Sequence, residues 1–243
     1  MSEREEVLLE PGYVLHQRPY RNTSLIIDCL TARYGRQSLV AQGARRSGSR
    51  QAAVLQPFHR VRLSWVRRGE LGRLTHVEAD AGILKITGDT LLAAFYLNEL
   101  LLRLVPRGDQ NDQILSCYSS CLDRLAETQS AARALRLFEL ELLEALGYRV
   151  DLEQDFRTGE PIEPDGNYSF EHECGLTACT AHPTMETFSG NHLVSLREHR
   201  LDDSGSLGAA KRLLGGILRF HLGERPLRTR QVMREIIDRK SAR

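Results

Sequence analysis

The sequence predicts an α+β protein: a small N-terminal β-barrel, then a helical C-terminal domain that carries an irregular insertion. Three observations carry this prediction. Residues 11–80 contain five short runs of β-branched and aromatic residues, apolar residues after position 80 recur at helical spacing, and residues 151–190 follow neither period. With 243 residues, 41% hydrophobic and 27% charged, the chain is long enough to bury a core.

The β-rich runs cover 13–15, 24–30, 37–44, 61–66 and 71–77. Turn-forming Arg33-Tyr34-Gly35, Arg46-Ser47-Gly48-Ser49 and Arg67-Arg68-Gly69-Glu70 separate them. Such strands suit an OB-fold, a five-stranded barrel that binds single strands on one face, and they define a domain over 1–80. Helices fill 81–243. Asp89 is placed to cap a helix reaching Leu104, with Pro106 beyond it, and residues 113–127 repeat the pattern. Ser130 is placed to cap a third, in which Leu135, Phe138, Leu142 and Leu146 share a face and Gly147 supplies the left-handed end. A last pair begins near Ser206, breaks at Gly223 and resumes at Thr229.

Several classes drop out. No apolar run approaches the roughly 18 residues of a membrane span. The acidic first ten residues lack the positive and apolar regions of a secretory leader, so a cytoplasmic protein is expected. Five cysteines at 29, 117, 121, 174 and 179 form no disulfide framework, and Cys117 and Cys121 share a helix face as small core hydrophobes.

The net charge of +1 conceals an uneven distribution. Residues 16–76 hold twelve arginines against two acids, residues 77–205 are acidic, and residues 206–243 carry ten basic against three acidic side chains. Two basic ends around an acidic centre point to a polyanion partner. Only three of the 33 basic residues are lysine, and the planar arginine fork suits phosphate and base edges.

No phosphate loop, G-x-S-x-G elbow, H-E-x-x-H or kinase set is present, so an enzyme is not expected. Gly43-Ala44-Arg45-Arg46-Ser47-Gly48 has small residues and arginines but not the lysine and hydroxyl of a nucleotide loop. His172, Glu173, Cys174, Cys179 and His182 cluster, yet only Cys179-x-x-His182 has knuckle spacing and no second pair precedes it. A surface turn without metal or other cofactor is expected there.

The stretch Val14-Leu15-His16-x-Arg18-Pro19-Tyr20-x-x-Thr23-Ser24-Leu25, followed by Gly35-Arg36, Val40-Ala41-x-Gly43-Ala44-Arg45-Arg46 and Leu55-Gln56-Pro57-Phe58, resembles the bacterial RecO family of recombination mediators and DNA repair proteins. The resemblance continues through Tyr96-Leu97-Asn98-Glu99-Leu100-Leu101, Arg136-x-Phe138-Glu139-x-x-Leu142-Leu143-x-x-Leu146-Gly147-Tyr148, Ala210-Lys211-Arg212 and His221-Leu222-Gly223. It implies an OB-fold followed by helices, binding of single- and double-stranded DNA, annealing of complementary strands, and a cytoplasmic, nucleoid-associated location. It further implies loading of RecA, with RecR, onto DNA coated by single-strand-binding protein. Some members bind zinc through two C-x-x-C pairs, whose positions here hold Asp155 and Thr158, then Cys179 and His182, a degenerate zinc-finger-like insertion.

On these grounds the main DNA site is expected on the barrel, with Arg18, Arg21, Arg36, Arg45, Arg46, Arg50, Arg67 and Arg68 on phosphates and Tyr20, Tyr34 or Trp65 available for stacking. Lys211, Arg212, Arg219, Arg225, Arg228 and Arg230 are expected to form an accessory duplex surface. Arg133 and Arg136 are expected to hold the acidic, apolar-ended C-terminal tail of single-strand-binding protein. Two rival readings share the residues: an RNA- or ribosome-associated OB protein, and a metal-dependent hydrolase built on His172, Cys174, Cys179 and His182.

Overall fold

The computed structural model describes residues 5–67, 69, 71–80, 84–127, 131–180 and 186–241. In chain order its elements are β1 (Glu5–Tyr20), β2 (Ser24–Thr31), β3 (Gly35–Ala41), the single turn α1 (Gln51–Val54), β4 (Arg60–Arg67), β5 (Gly72–Ala79), α2 (Asp89–Leu104), α3 (Asp112–Glu127), α4 (Ala131–Ala145), β6 (Asn167–Glu171), β7 (Gly175–Ala178), β8 (Phe188–Ser189), α5 (Gly190–Arg197), α6 (Ser204–Leu222) and α7 (Arg228–Ser241).

The first five strands close into a barrel in the order β1-β2-β3-β5-β4, with β3 and β5 parallel and every other pair antiparallel. This is the expected OB-fold arrangement. Period-two alternation fills it: Leu25, Ile27 and Cys29 of β2, Leu39 and Ala41 of β3, and Val61, Leu63 and Trp65 of β4 point inward. Each large side chain so buried contributes about 1.5–3 kcal/mol relative to exposure. β1 is long because it serves two neighbours, pairing β4 through its first half and β2 through its second, with a bulge between Val7 and Glu10.

Contacts divide the chain into two units, Met1–Gln129 with Leu227–Arg243, and Ser130–Pro226. Strands give way to helices near residue 80, but α2, α3 and α7 share a unit with the barrel. Asn98 explains part of this grouping. Its amide donates to the Leu15 carbonyl of β1 at 2.6 Å and accepts from the Tyr118 hydroxyl of α3 at 2.6 Å, while Tyr118 meets Tyr13 edge-on at 5.3 Å. Its neighbours on α2 reach α7: Glu99 accepts from the backbone N–H groups of Arg228 and Thr229 and from the Thr229 hydroxyl, and Tyr96 Oη lies 3.1 Å from Arg230.

In the second unit α6 packs against α4 and α5. The irregular segment is more ordered than its composition predicts, since β7-β6-β8 form a small antiparallel sheet. Gly147 follows α4 at φ 82° and Gly223 caps α6 at φ 69°, as their sequence positions predict. Two caps differ. Gly88, not Asp89, occupies the N-cap of α2, and α6 starts at Ser204 because Asp203 accepts from the Ser206 N–H at 2.9 Å. The Ser130 cap lies outside the described residues.

Candidate nucleic-acid interface

Strand register determines which basic residues share a surface. Arg18 of β1 lies opposite Ile26 of β2, Ile26 opposite Val40 of β3, and Val40 opposite Arg73 of β5. Directly opposed residues point to the same side of a sheet, so one row on the outer barrel wall runs Arg18-Ile26-Val40-Arg73. Both arginines are exposed and flank Ile26, which is buried, and half-buried Val40. The next row, His16-Asp28-Ser38, is knitted internally: the Ser38 hydroxyl donates to Asp28, and His16 Nδ1 lies 3.9 Å from the same carboxylate.

The β1–β2 turn and the loop after β3 extend this wall. The Arg45 N–H donates to the Thr23 carbonyl at 2.8 Å, joining the two segments. Arg46 and Ser49 continue the loop through N–H donation to Gly43 and Arg46 carbonyls. Exposed Arg21, Arg45, Arg46 and Arg50 thus gather on two joined loops at one end of the barrel. Tyr20 stands beside them, partly exposed, with the Arg21 guanidinium 5.1 Å from its ring centre.

Other expected barrel residues are occupied elsewhere. Trp65 is only 1% exposed and meets Tyr34 edge-on at 5.3 Å within the core, so the indole is no stacking platform. Tyr34 packs against that core. Arg36 is half-buried, with Nε donating to the Val105 carbonyl at 2.8 Å; burial lowers its pKa, opposed by Asp28 and reinforced by Arg107. Arg67 pairs with Glu5 at 2.7 Å and donates to Gln37. These residues structure the barrel instead of facing a ligand. Arg33 is paired to Glu10, and Arg60 and Arg62 to Asp80. Arg68 lies outside the described residues.

The C-terminal basic set is divided between the units. Lys211, Arg212, Arg219 and Arg225 belong to the second, whereas Arg228 and Arg230 belong to the first, where Arg230 sits 5.5 Å above the Tyr96 ring. On α4, Arg136 is not the exposed cation expected of it. It is 8% exposed and pairs at 2.7 Å with Glu139, which is 0% exposed, because apolar residues bury α4 on nearly every side. Arg133 remains exposed and donates to the His199 carbonyl at 2.8 Å.

Nor do the degenerate zinc positions fit a metal. Both oxygens of buried Asp155 are engaged: Oδ1 accepts from the Arg157 and Thr158 N–H groups, and Oδ2 from Ala178 at the end of β7. Those bonds lower its pKa, Ala178 contributing most, and they close the turn that a metal would otherwise close. Thr158 offers no thiolate, its hydroxyl accepts from the Glu160 N–H, and His182 lies outside the described residues. Among the described residues no three His, Cys, Asp or Glu side chains converge on a cation position, and no helix is long and apolar enough to cross a membrane.

Family models place the chain. Residues 6–81 match the recombination protein O N-terminal model and residues 87–231 match the C-terminal one. The protein named DNA repair protein RecO in Nitrosococcus oceani is 44% identical over 95% of this chain and 94% of its own length. Its namesakes in Methylococcus capsulatus and Coxiella burnetii are 42% and 37% identical, each over 94% of this chain and at least 93% of their own. With both domain models matched and three such relatives, the chain belongs to the RecO family.

Proposed function

We propose that this protein is a DNA repair and recombination mediator that binds single- and double-stranded DNA on the barrel wall and anneals complementary strands. In this reading it works with RecR to load RecA onto DNA covered by single-strand-binding protein. The single observation that carries it is the register row Arg18-Ile26-Val40-Arg73, continued by the joined loops bearing Arg21, Arg45, Arg46 and Arg50. Exposed arginines beside a partly exposed tyrosine are the two parts single-strand binding uses, cations for the backbone and a ring face for a base. Arg133 is the cation that α4 keeps in solvent for an acidic tail, and Lys211, Arg212, Arg219 and Arg225 supply the accessory charge of the second unit.

Replacing Arg45, Arg46 and Arg50 with glutamate tests the reading. Each phosphate contact on a single strand contributes about 0.7 to the slope of log affinity against log salt, so losing three should flatten it by about 2. An unchanged slope moves the site off the barrel. A clear preference for RNA over DNA of the same sequence and salt would favour an RNA-associated OB protein instead.

A further inference from the structure

The second unit carries an open groove of about 540 Å³ lined by Phe170, His172, Phe188, Arg212, Arg219 and Phe220, among others. Its lining rings belong to a larger cluster that Tyr148 and His221 continue outside the groove. His172 stacks on Phe220 with centroids 4.2 Å apart and planes 16° from parallel, and Tyr148 stacks on His221 at 3.7 Å and 19°. Phe220 and His221 meet edge to face, joining the two stacks. Phe220 leaves 61% of its surface in solvent, although α6 buries Leu213, Leu214, Ile217 and Leu218 on its other side. Stacked by His172 yet largely in solvent, Phe220 keeps exposed ring surface for one more ring.

Charge and shape specify that ring's attachments. The Arg212 guanidinium is held 5.7 Å over Phe188 by Glu186, and Arg219 lines the groove with no ion pair among the described residues. Planar guanidinium forks suit phosphate oxygens. Gly216 also lines the groove. A Cβ there would meet nothing closer than the Arg219 guanidinium at 3.9 Å, so packing does not require a residue that weakens a helix interior; the glycine keeps the floor open.

We propose that this groove is a second single-strand site, in which one base extends the His172–Phe220 stack and its phosphates lie on Arg212 and Arg219. An acidic peptide ending in an aromatic residue is the other ligand a cationic, ring-lined groove admits. The solvent-exposed ring of Phe220, already stacked on His172, favours the nucleotide. The proposal rests on the DNA-binding reading of the preceding section and gives Arg212 and Arg219 of its accessory set a ring-lined single-strand site.

Phe220→Trp supplies a local reporter, because the natural Trp65 is buried in the barrel. A short oligothymidylate should quench the added indole saturably, whereas an abasic oligomer with the same phosphates should bind without quenching. Phe220→Ala, at an exposed position, should weaken oligothymidylate binding about tenfold at fixed salt, a change in the range of one lost base stack, and leave abasic binding unchanged. Binding without quenching, or equal loss on both oligomers, would overturn this site alone. Quenching by the acidic peptide but not by bound oligothymidylate would reassign the groove to peptides. No oligothymidylate binding by the parent chain would overturn both this site and the reading beneath it.

Discussion

Glu99 offers the sharpest test of how the chain's end is held. Its carboxylate takes three hydrogen bonds from the first turn of α7: the Arg228 N–H at 2.8 Å, the Thr229 N–H at 2.9 Å and the Thr229 hydroxyl at 2.7 Å. In effect a side chain from α2 caps another helix, with its negative charge at the positive end of that helix's dipole. Loss of a helix cap costs about 0.5–2 kcal/mol, and bonds to a charged acceptor lie toward the upper end, so Glu99→Ala should release α7 by about 2 kcal/mol. Since 1.4 kcal/mol is a factor of ten, amide exchange in α7 should accelerate about 30-fold. The barrel amides should keep their protection. pH should act in the same direction: burial raises the Glu99 pKa, but the Thr229 and Arg228 bonds with Arg103 outweigh it and leave it below the ordinary value of 4.5. A depressed folded-state pKa means that its contribution is complete above that value and fades as pH falls through the folded one. Unaltered α7 exchange in Glu99→Ala would refute the capping argument.

The remaining expectations concern other buried groups. Asn98→Ala should cost about 3 kcal/mol in urea unfolding, because it strands the Leu15 carbonyl and the Tyr118 hydroxyl in the interior; a loss under 1 kcal/mol would mean that water or repacking replaces the amide. Emission from Trp65, the only tryptophan, should be blue-shifted and unresponsive to bound oligonucleotide, and quenching on binding would contradict its core placement. Chelators should leave the melting temperature unchanged. Asp155→Ala should sensitise residues 151–180 to protease without exposing the barrel, and cleavage at the parent rate would show the carboxylate dispensable.

Elements with a clean period were legible in the sequence nearly to the residue: β2, β4, α2 and α3 begin and end within one position of expectation. β1 was not, since Pro11, Gly12 and three glutamates interrupt its alternation and its bulge shifts the parity midway. α5 escaped notice because it is short and opens on glycine. The candidate site was legible in composition but not in arrangement. Arg73 stands alone in the sequence and joins Arg18 only through the register of the two intervening strands, β2 and β3. The burial of Trp65 is legible after all: Val61, Leu63 and Trp65 share one parity, which puts the indole inside. Arg136 shows the opposite limit, for its burial depends on neighbours around most of α4's middle turns, which one helix's periodicity does not reveal.

The carboxylate closure of the Asp155 turn changes which chemical insults this insertion must survive. Thiolate-bound metal is vulnerable where oxidants are plentiful, because oxidising a cysteine ejects the ion and the fold that depended on it. A carboxylate holding three amide protons has nothing to oxidise and no metal to lose. A chain organised in this way would keep this turn closed through peroxide stress or zinc starvation, conditions under which a thiol-clamped turn would come undone.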